Sequence, residues 1–232
     1  MSACLAVAVV VPVHDEEALL DACLESLAHA VAAVHGFGVA VVVVLDACAD
    51  GSAEIARRHD VTTIEIGDHN VGAARRAGVE RARLQLAVDP AELWIATTDA
   101  DSTVPPNWLT HQLDLAARGH DVVLGNVRPD FVGLSADHVA YWHATHAPGI
   151  PLGNVHGANL GMRASVYDQV GGFAPLPEHE DADLVDRARE VGAQVTASAD
   201  AVVVTSARFD GRTPGGYAGF LRGRAAELAE TA

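Results

Sequence analysis

Trp94-Ile-Ala-Thr-Thr-Asp-Ala-Asp-Ser102 joins a short apolar run to two carboxylates one residue apart. Leu93 to Ala96 reads as a buried strand, and in open α/β sheets ligands lie beyond the carboxyl ends of strands. Asp99 and Asp101, spaced by Ala100, are therefore aimed at a candidate site. Two hard oxygen ligands on one short loop suit Mg²⁺ or Mn²⁺, which proteins hold with one or two carboxylates plus substrate phosphates. Taken alone the pair also reads as a surface turn, because Asp and Ser favour turns. The chain on either side decides between the two.

Upstream, Leu5 to Val11 is a continuous apolar run rich in β-branched residues, the pattern of a strand buried on both faces. Pro12 is expected to end it. From Glu16 to Val34 apolar residues recur on a helical period, with Leu20, Leu24, Leu27 and Val31 on one side. Val39 to Leu45 is a second buried strand, closed by Asp46. Ser52 is placed to cap a short helix reaching His59. Val61 to Ile66 is a third strand, and Asn70 opens a helix running to Val88. With Leu93 to Ala96 as the fourth strand, the order is β-α-β-α-β-α-β, which implies a parallel sheet with helices on both faces. The chain has no Gly-x-Gly-x-x-Gly after its first strand, so the usual dinucleotide site is not expected.

Downstream, Asn107 to Arg118 reads as a helix and Val122 to Gly125 as a strand. Pro129 to Pro151 is less regular, with a short helix from Ala136. A Gly-rich loop follows, Gly153-Asn-Val-His-Gly-Ala-Asn-Leu-Gly161, then a short helix from Ala164 to Val170. The segment Pro177-Glu-His-Glu-Asp-Ala-Asp183 opens a helix to Val191. Two strands are expected at Gln194 to Ala197 and Ala201 to Thr205, then a loop from Ser206 to Gly216 and a last helix.

The 232 residues are 50% hydrophobic, enough for one sizeable core in one domain. No apolar stretch reaches the roughly 18 residues of a membrane span. Met1 to Val11 lacks a basic start and reads as a strand, not a signal peptide. The net charge of −16 argues against nucleic acid and anionic membranes as partners. Lysine is absent, so every fixed cation is an arginine, which suits bidentate phosphate or carboxylate recognition. Three scattered cysteines, Cys4, Cys23 and Cys48, imply reduced thiols and a cytoplasmic location.

Several separate stretches then agree, in order, with one family. They are Val10-Val-Pro-Val-His-Asp-Glu-Glu17, Asp46-Ala-Cys-Ala-Asp-Gly-Ser52, Asn70 to Gly78, Thr98-Asp-Ala-Asp-Ser102, His156-Gly-Ala-Asn-Leu-Gly161 and Glu180-Asp181. The chain resembles the inverting nucleotide-sugar glycosyltransferases of family 2. The resemblance implies the GT-A fold, a Rossmann-like, mostly parallel α/β sheet flanked by helices. It also implies a nucleoside-diphosphate sugar donor, a hydroxyl acceptor, and Mg²⁺ or Mn²⁺. Residues 1–102 would form the nucleotide half and 103–232 the acceptor half of a single domain.

Carried over residue by residue, Pro12, Val13, His14 and Asp15 resemble the loop that holds the base, with His14 where the family often stacks an aromatic. Asp46 resembles the acid that bonds the base, and Arg75 the arginine near base and phosphate. Asp99 and Asp101 match the metal motif, with Asp99 also beside the nucleotide. Asp181 matches the catalytic base, with Glu180 the next candidate. His156, Gly157 and Asn159 are assigned to the sugar or acceptor, because polar groups amid glycine permit close approach to a ligand. Acids at 178–183 also suit plain helix capping, since they are favoured at any helix start. The chain departs from the family where many relatives carry a late histidine. Val202 to Arg212 has none; Thr205, Ser206, Asp210 or water stand in its place, and Arg208 and Arg212 offer cations to the diphosphate instead.

The chemistry asks for the same parts. A sugar leaving a nucleoside diphosphate exposes negative charge that a divalent cation neutralises. The acceptor hydroxyl must lose its proton to a positioned carboxylate. Three rivals share the fold: a retaining transferase acting on a small acidic acceptor, a sugar-phosphate nucleotidyltransferase, and an inactive nucleotide-sugar binding module. The Gly-free, acidic Pro12 to Glu17 loop counts against the nucleotidyltransferase.

Overall fold

A computed structural model describes residues 4–147 and 149–208. Within them the chain forms one α/β unit around an eight-stranded sheet, ordered β3-β2-β1-β4-β7-β6-β8-β5. The elements are β1 (Ala6–Val13), α1 (Leu20–Ala32), β2 (Gly38–Asp46), α2 (Ser52–Ala56), β3 (Thr62–Ile66), α3 (Val71–Leu86), β4 (Leu93–Thr97) and β5 (Ser102–Thr103). They continue as α4 (Trp108–Ala117), β6 (Val122–Pro129), α5 (Ala136–Thr145), β7 (Leu160–Arg163), α6 (Ala164–Gln169), α7 (Glu180–Glu190) and β8 (Val195–Thr205). The expected last helix, with Asp210 and Arg212, lies outside the described residues. No helix among the described residues is long and apolar enough to cross a membrane.

Strand alternation explains the layers. Val7, Val9, Val11 and Val13 of β1 pack with Leu20, Leu24 and Leu27 of α1 and with Leu109 of α4. Ala6, Ala8 and Val10 point the other way, against Val79 of α3, Leu184 of α7 and Tyr167 of α6. Both faces of the strand are thus covered, as its unbroken apolar run requires. On the second face Gly78 lets α3 lie close to the sheet: a Cβ there would sit 2.4 Å from Val10 Cγ1.

Strands β3, β2, β1 and β4 are parallel, as the sequence pattern implies. The rest is mixed. Strand β7 runs antiparallel between β4 and β6, and β5 pairs antiparallel with β8. Three expectations need correcting. Pro12 does not end β1; it pairs with Val44 and the strand reaches Val13. The Val10 carbonyl accepts from Thr98, just past the end of β4. Two residues further on, the missing N–H of Pro12 faces the side where β4 has stopped, so the ladder loses no bond there. Ser52 does not cap α2; its hydroxyl accepts from the Glu16 N–H at 2.9 Å. The two late strands are one, β8, whose pairing with β6 slips between Gly125 and Val127.

Candidate functional site

A cleft of about 1030 Å³ opens where the parallel strands end. Pro12 and Val13 reach it from β1, His14 from just beyond that strand and Asp46 from β2; Asp99 and Asp101 reach it from the loop after β4. The far wall comes from His146, from the stretch Leu152 to Ala158, and from the start of α7 at Glu178 to Ala182. Arg75 rises into it from α3 and Arg208 from beyond β8.

The carboxylate of Asp46 is held by backbone. Its Oδ1 accepts from the N–H groups of Asp68 and His69 at 2.8 and 2.9 Å, and its Oδ2 from Asn70 at 2.7 Å. It therefore anchors the entry to α3, while its carbonyl meets His14 Nδ1 at 2.6 Å. The rings of His14 and His69 meet edge to face, 5.4 Å apart, on this side of the cleft.

Arg75 joins the strand-end loop to α7. It is 3% exposed, and its guanidinium donates to Asp99 Oδ1 at 2.6 Å and pairs with Glu180. Glu180 is equally buried. Gly157 gives the guanidinium its room, since a Cβ there would lie 2.2 Å from Arg75 Nη2. The Gly157 N–H in turn donates to Asp181 Oδ2 at 2.6 Å, which turns that carboxylate toward the Gly-rich wall. His156 lies beside it; burial pulls its pKa below the usual imidazole value, against the opposing pull of Asp181.

Asp101 lies in a different setting. Burial and the neighbouring Asp99 charge push its pKa up to about 6, opposed by Arg208. Its Oδ1 lies 3.3 Å from the hydroxyls of Ser102 and Thr205, and its Oδ2 is 3.0 Å from Arg208 Nη2. Arg208 also holds Glu16 with two hydrogen bonds of 2.9 and 2.6 Å. Those bonds, ahead of the Asp101 charge, raise the Arg208 pKa further. Asp99, Asp101 and Thr205 line this end of the cleft and offer hard oxygen donors of the kind that could hold a Mg²⁺ or Mn²⁺ ion.

Most residues singled out in the sequence meet in this cleft. Two do not line it. Asn159 is 2% exposed, and its amide is engaged inside the fold: Oδ1 accepts from Trp108 Nε1, and Nδ2 donates to the carbonyls of Asn126 and Ala201. Its work is to join α4, β6 and β8 behind the wall. Asp15 adopts a left-handed φ of 51° and accepts from the Ala49 and Asp50 N–H groups. With Cys48 and Asp50 it forms a group whose ligand atoms lie within 4.8 Å of one another. Asp50 already accepts from Glu17 and Ser52 there, so these carboxylates lock one loop to the next. Arg212 lies outside the described residues. The sequence reading missed Glu16, which looks like any acid at a helix start; its partner is 192 residues away.

The likeness to solved structures follows the fold. Staphylococcus aureus TarS 1–349, in complex with UDP-GlcNAc, superposes with a TM-score of 0.64 at 16% identity, over 91% of this chain and 61% of that one. A mannosyltransferase from Pyrobaculum calidifontis, in complex with GDP-Man and Mn²⁺, gives 0.62 at 21% identity, over 88% and 57%. Glucosyl-3-phosphoglycerate synthase from Mycobacterium tuberculosis, with Mg²⁺ and UDP, gives 0.54 at 16% identity, over 87% and 69%. The chain thus spans about three-fifths of the TarS and mannosyltransferase structures. No curated protein sequence matches it. The profile of glycosyl transferase family 2 matches residues 8–173, from β1 through β7 to the end of the Gly171-Gly-Phe173 turn. With that match spanning most of its length and the GT-A architecture beneath it, the chain belongs to glycosyl transferase family 2.

Proposed function

We propose that the cleft transfers a sugar from a nucleoside diphosphate to an acceptor hydroxyl, with inversion, and that Asp181 is the general base. The observation that carries this reading is the arrangement of carboxylates. Asp181 stands on the Gly-rich wall, while Asp99 and Asp101 stand on the strand-end loop of the same cleft. In this reading residues 1–102 carry the nucleotide half, with His14 and Asp46 at the base and Arg75 near the phosphates. Residues 103–232 carry the acceptor half, with His156 and Gly157 in its wall. Asp99 and Asp101 would hold a Mg²⁺ or Mn²⁺ ion, which neutralises the departing diphosphate. That solved relatives in complex with UDP-GlcNAc, GDP-Man, Mn²⁺ and Mg²⁺ share the fold supports the donor class and the ion.

The residues divide the work. Asp181 Oδ1 is close to its own helix start, accepting from the Ala182 N–H at 2.7 Å, and Oδ2 is steadied by Gly157. A carboxylate fixed at both oxygens has one orientation to offer an incoming hydroxyl, and removing that proton as the bond forms is typically worth about 10²–10⁴ in rate. Glu180, clamped by Arg75, is a poorer candidate because its proton-accepting oxygens face a buried guanidinium. The rival retaining reaction on a small acidic acceptor asks for spare cations. Among the described residues the two arginines of the cleft, Arg75 and Arg208, are already paired with carboxylates.

Asp181→Asn tests the assignment. Asparagine keeps the shape and an oxygen for the Gly157 N–H but cannot take a proton. Binding of UDP- or GDP-sugar in Mn²⁺ should stay near wild type, while slow donor hydrolysis, which needs the same proton removal from water, should fall by roughly 10² or more. Wild-type hydrolysis with normal donor affinity would move the role elsewhere. Proton NMR of the anomeric centre in the product reads the stereochemistry directly.

A further inference from the structure

We propose that Arg208 is a resident counter-cation of the donor-free enzyme: it occupies the Asp101 carboxylate that a divalent ion would use, and leaves it when diphosphate and metal arrive together. The inference rests on reading Asp101 as a metal-side carboxylate and goes beyond it, because it concerns what holds that position beforehand.

Three observations converge. The first is competition for the same oxygens. Asp101 Oδ2 is 3.0 Å from Arg208 Nη2, and Oδ1 faces the Ser102 and Thr205 hydroxyls. An ion approaching Oδ2 meets the guanidinium first. The second is anchorage. Arg208 is not a lone surface side chain, because Glu16 binds it in two parallel hydrogen bonds and is itself 6% exposed. Its backbone is tied as well: Ser206 N–H donates to the Asp101 carbonyl at 3.0 Å, and Arg208 N–H donates to Ser206 Oγ at 3.3 Å. The third is the charge of the site. Glu16, Asp99 and Asp101 gather at one end of the cleft, and Arg208 is the cation that meets two of them. Such a cluster needs a positive charge in every state of the enzyme, and a guanidinium supplies it when no ion does.

The exchange has a direction. A guanidinium fork matches phosphate oxygens as well as it matches a carboxylate. A bound diphosphate therefore offers Arg208 an equivalent partner while the ion takes over Asp101. Nucleotide and metal then favour each other through Arg208, in addition to touching one another, and the coupling is reciprocal.

Mn²⁺ binding to the intact protein, followed by electron paramagnetic resonance of free Mn²⁺, tests this without turnover. With Mn²⁺ alone, Arg208→Gln should bind roughly tenfold more tightly than wild type or better, the range expected when a charged hydrogen-bond competitor is removed. Arg208→Lys keeps the charge and should stay near wild type. Adding saturating UDP or GDP should tighten Mn²⁺ more in wild type than in Arg208→Gln. Equal or weaker Mn²⁺ binding by Arg208→Gln, with Asp101→Asn still abolishing it, would overturn the competition and leave the metal assignment standing. If Asp101→Asn binds Mn²⁺ like wild type, with and without nucleotide, the metal assignment falls and the competition with it.

Discussion

Replacing Arg75 by methionine removes one charge from a place where two carboxylates, Asp99 and Glu180, depend on it. The side chain of Asp99 is 37% exposed and water can take the place of the guanidinium there. Glu180 has no such recourse: its side chain is 4% exposed, the same as that of Arg75. The loss therefore falls on Glu180, and breaking a buried pair by deleting one partner costs about 3–5 kcal/mol. Methionine refills most of the volume, and the guanidinium lies 5.9 Å from the Phe173 ring centroid, so some apolar contact is kept. The cavity contribution should be minor beside the stranded charge. With a denaturant slope of about 1–3 kcal/mol/M, urea unfolding should shift its midpoint down by about 1–5 M. The companion variant Arg75→Met with Glu180→Met removes the stranded charge and should recover most of the loss, because apolar replacements of buried pairs are often neutral. A single variant within about 1 kcal/mol of wild type would refute the reasoning. So would a double variant no more stable than the single one.

Three further outcomes follow from the geometry. Asp46→Ala strips the acceptor from three backbone N–H groups at the entry to α3, and should cost about 1–3 kcal/mol by calorimetry as well as weakening nucleotide binding; unchanged melting would show that water replaces the carboxylate without penalty. Asp101→Ala should abolish the Mn²⁺ dependence of UDP and GDP binding in titration calorimetry, and unchanged affinity in Mn²⁺ for every nucleotide tried would remove the residue from the site. Burial depresses the His156 pKa below its usual 6.5, so the unfolded chain holds that proton more tightly. The stability this neutral imidazole contributes is present above that value and is lost as pH falls through 6.5 toward the folded pKa. The Tm gap between wild type and His156→Gln should move toward the variant as pH drops from about 8 to about 5, whereas a constant gap would rule the linkage out.

How far the sequence reveals this arrangement depends on the range of the signal. The parallel half was legible because β1, β2 and β4 carry continuous apolar runs buried on both faces and the helices between them carry one apolar side, both local patterns. Strand β7 was not: Leu160 to Arg163 is four residues long and follows a Gly-rich run that reads as loop. Strand β5, with two residues, carries no period at all. The start of α1 was placed too early, because Glu16 and Glu17 look like helix-start acids. In the fold Glu16 faces Arg208, and Glu17 Oε2 accepts from the Gly51 N–H. The strand-end position of Asp99 and Asp101 was readable from Leu93 onward. The Arg75–Glu180 clamp was not, since the two residues come together across more than a hundred positions with no repeating spacing.

Gly157 limits how this protein can be re-engineered. Its missing side chain admits the Arg75 guanidinium, and its N–H orients Asp181. One position thus fixes the Arg75 guanidinium and the Asp181 carboxylate at once. A library that varied the whole Gly-rich loop to change acceptor preference would lose activity at position 157 before specificity was ever sampled. Leu152, Asn154 and Val155 line the same wall. Their side chains are the ones to randomise, with 157 held as glycine, so that the wall is reshaped without disturbing Arg75 and Asp181.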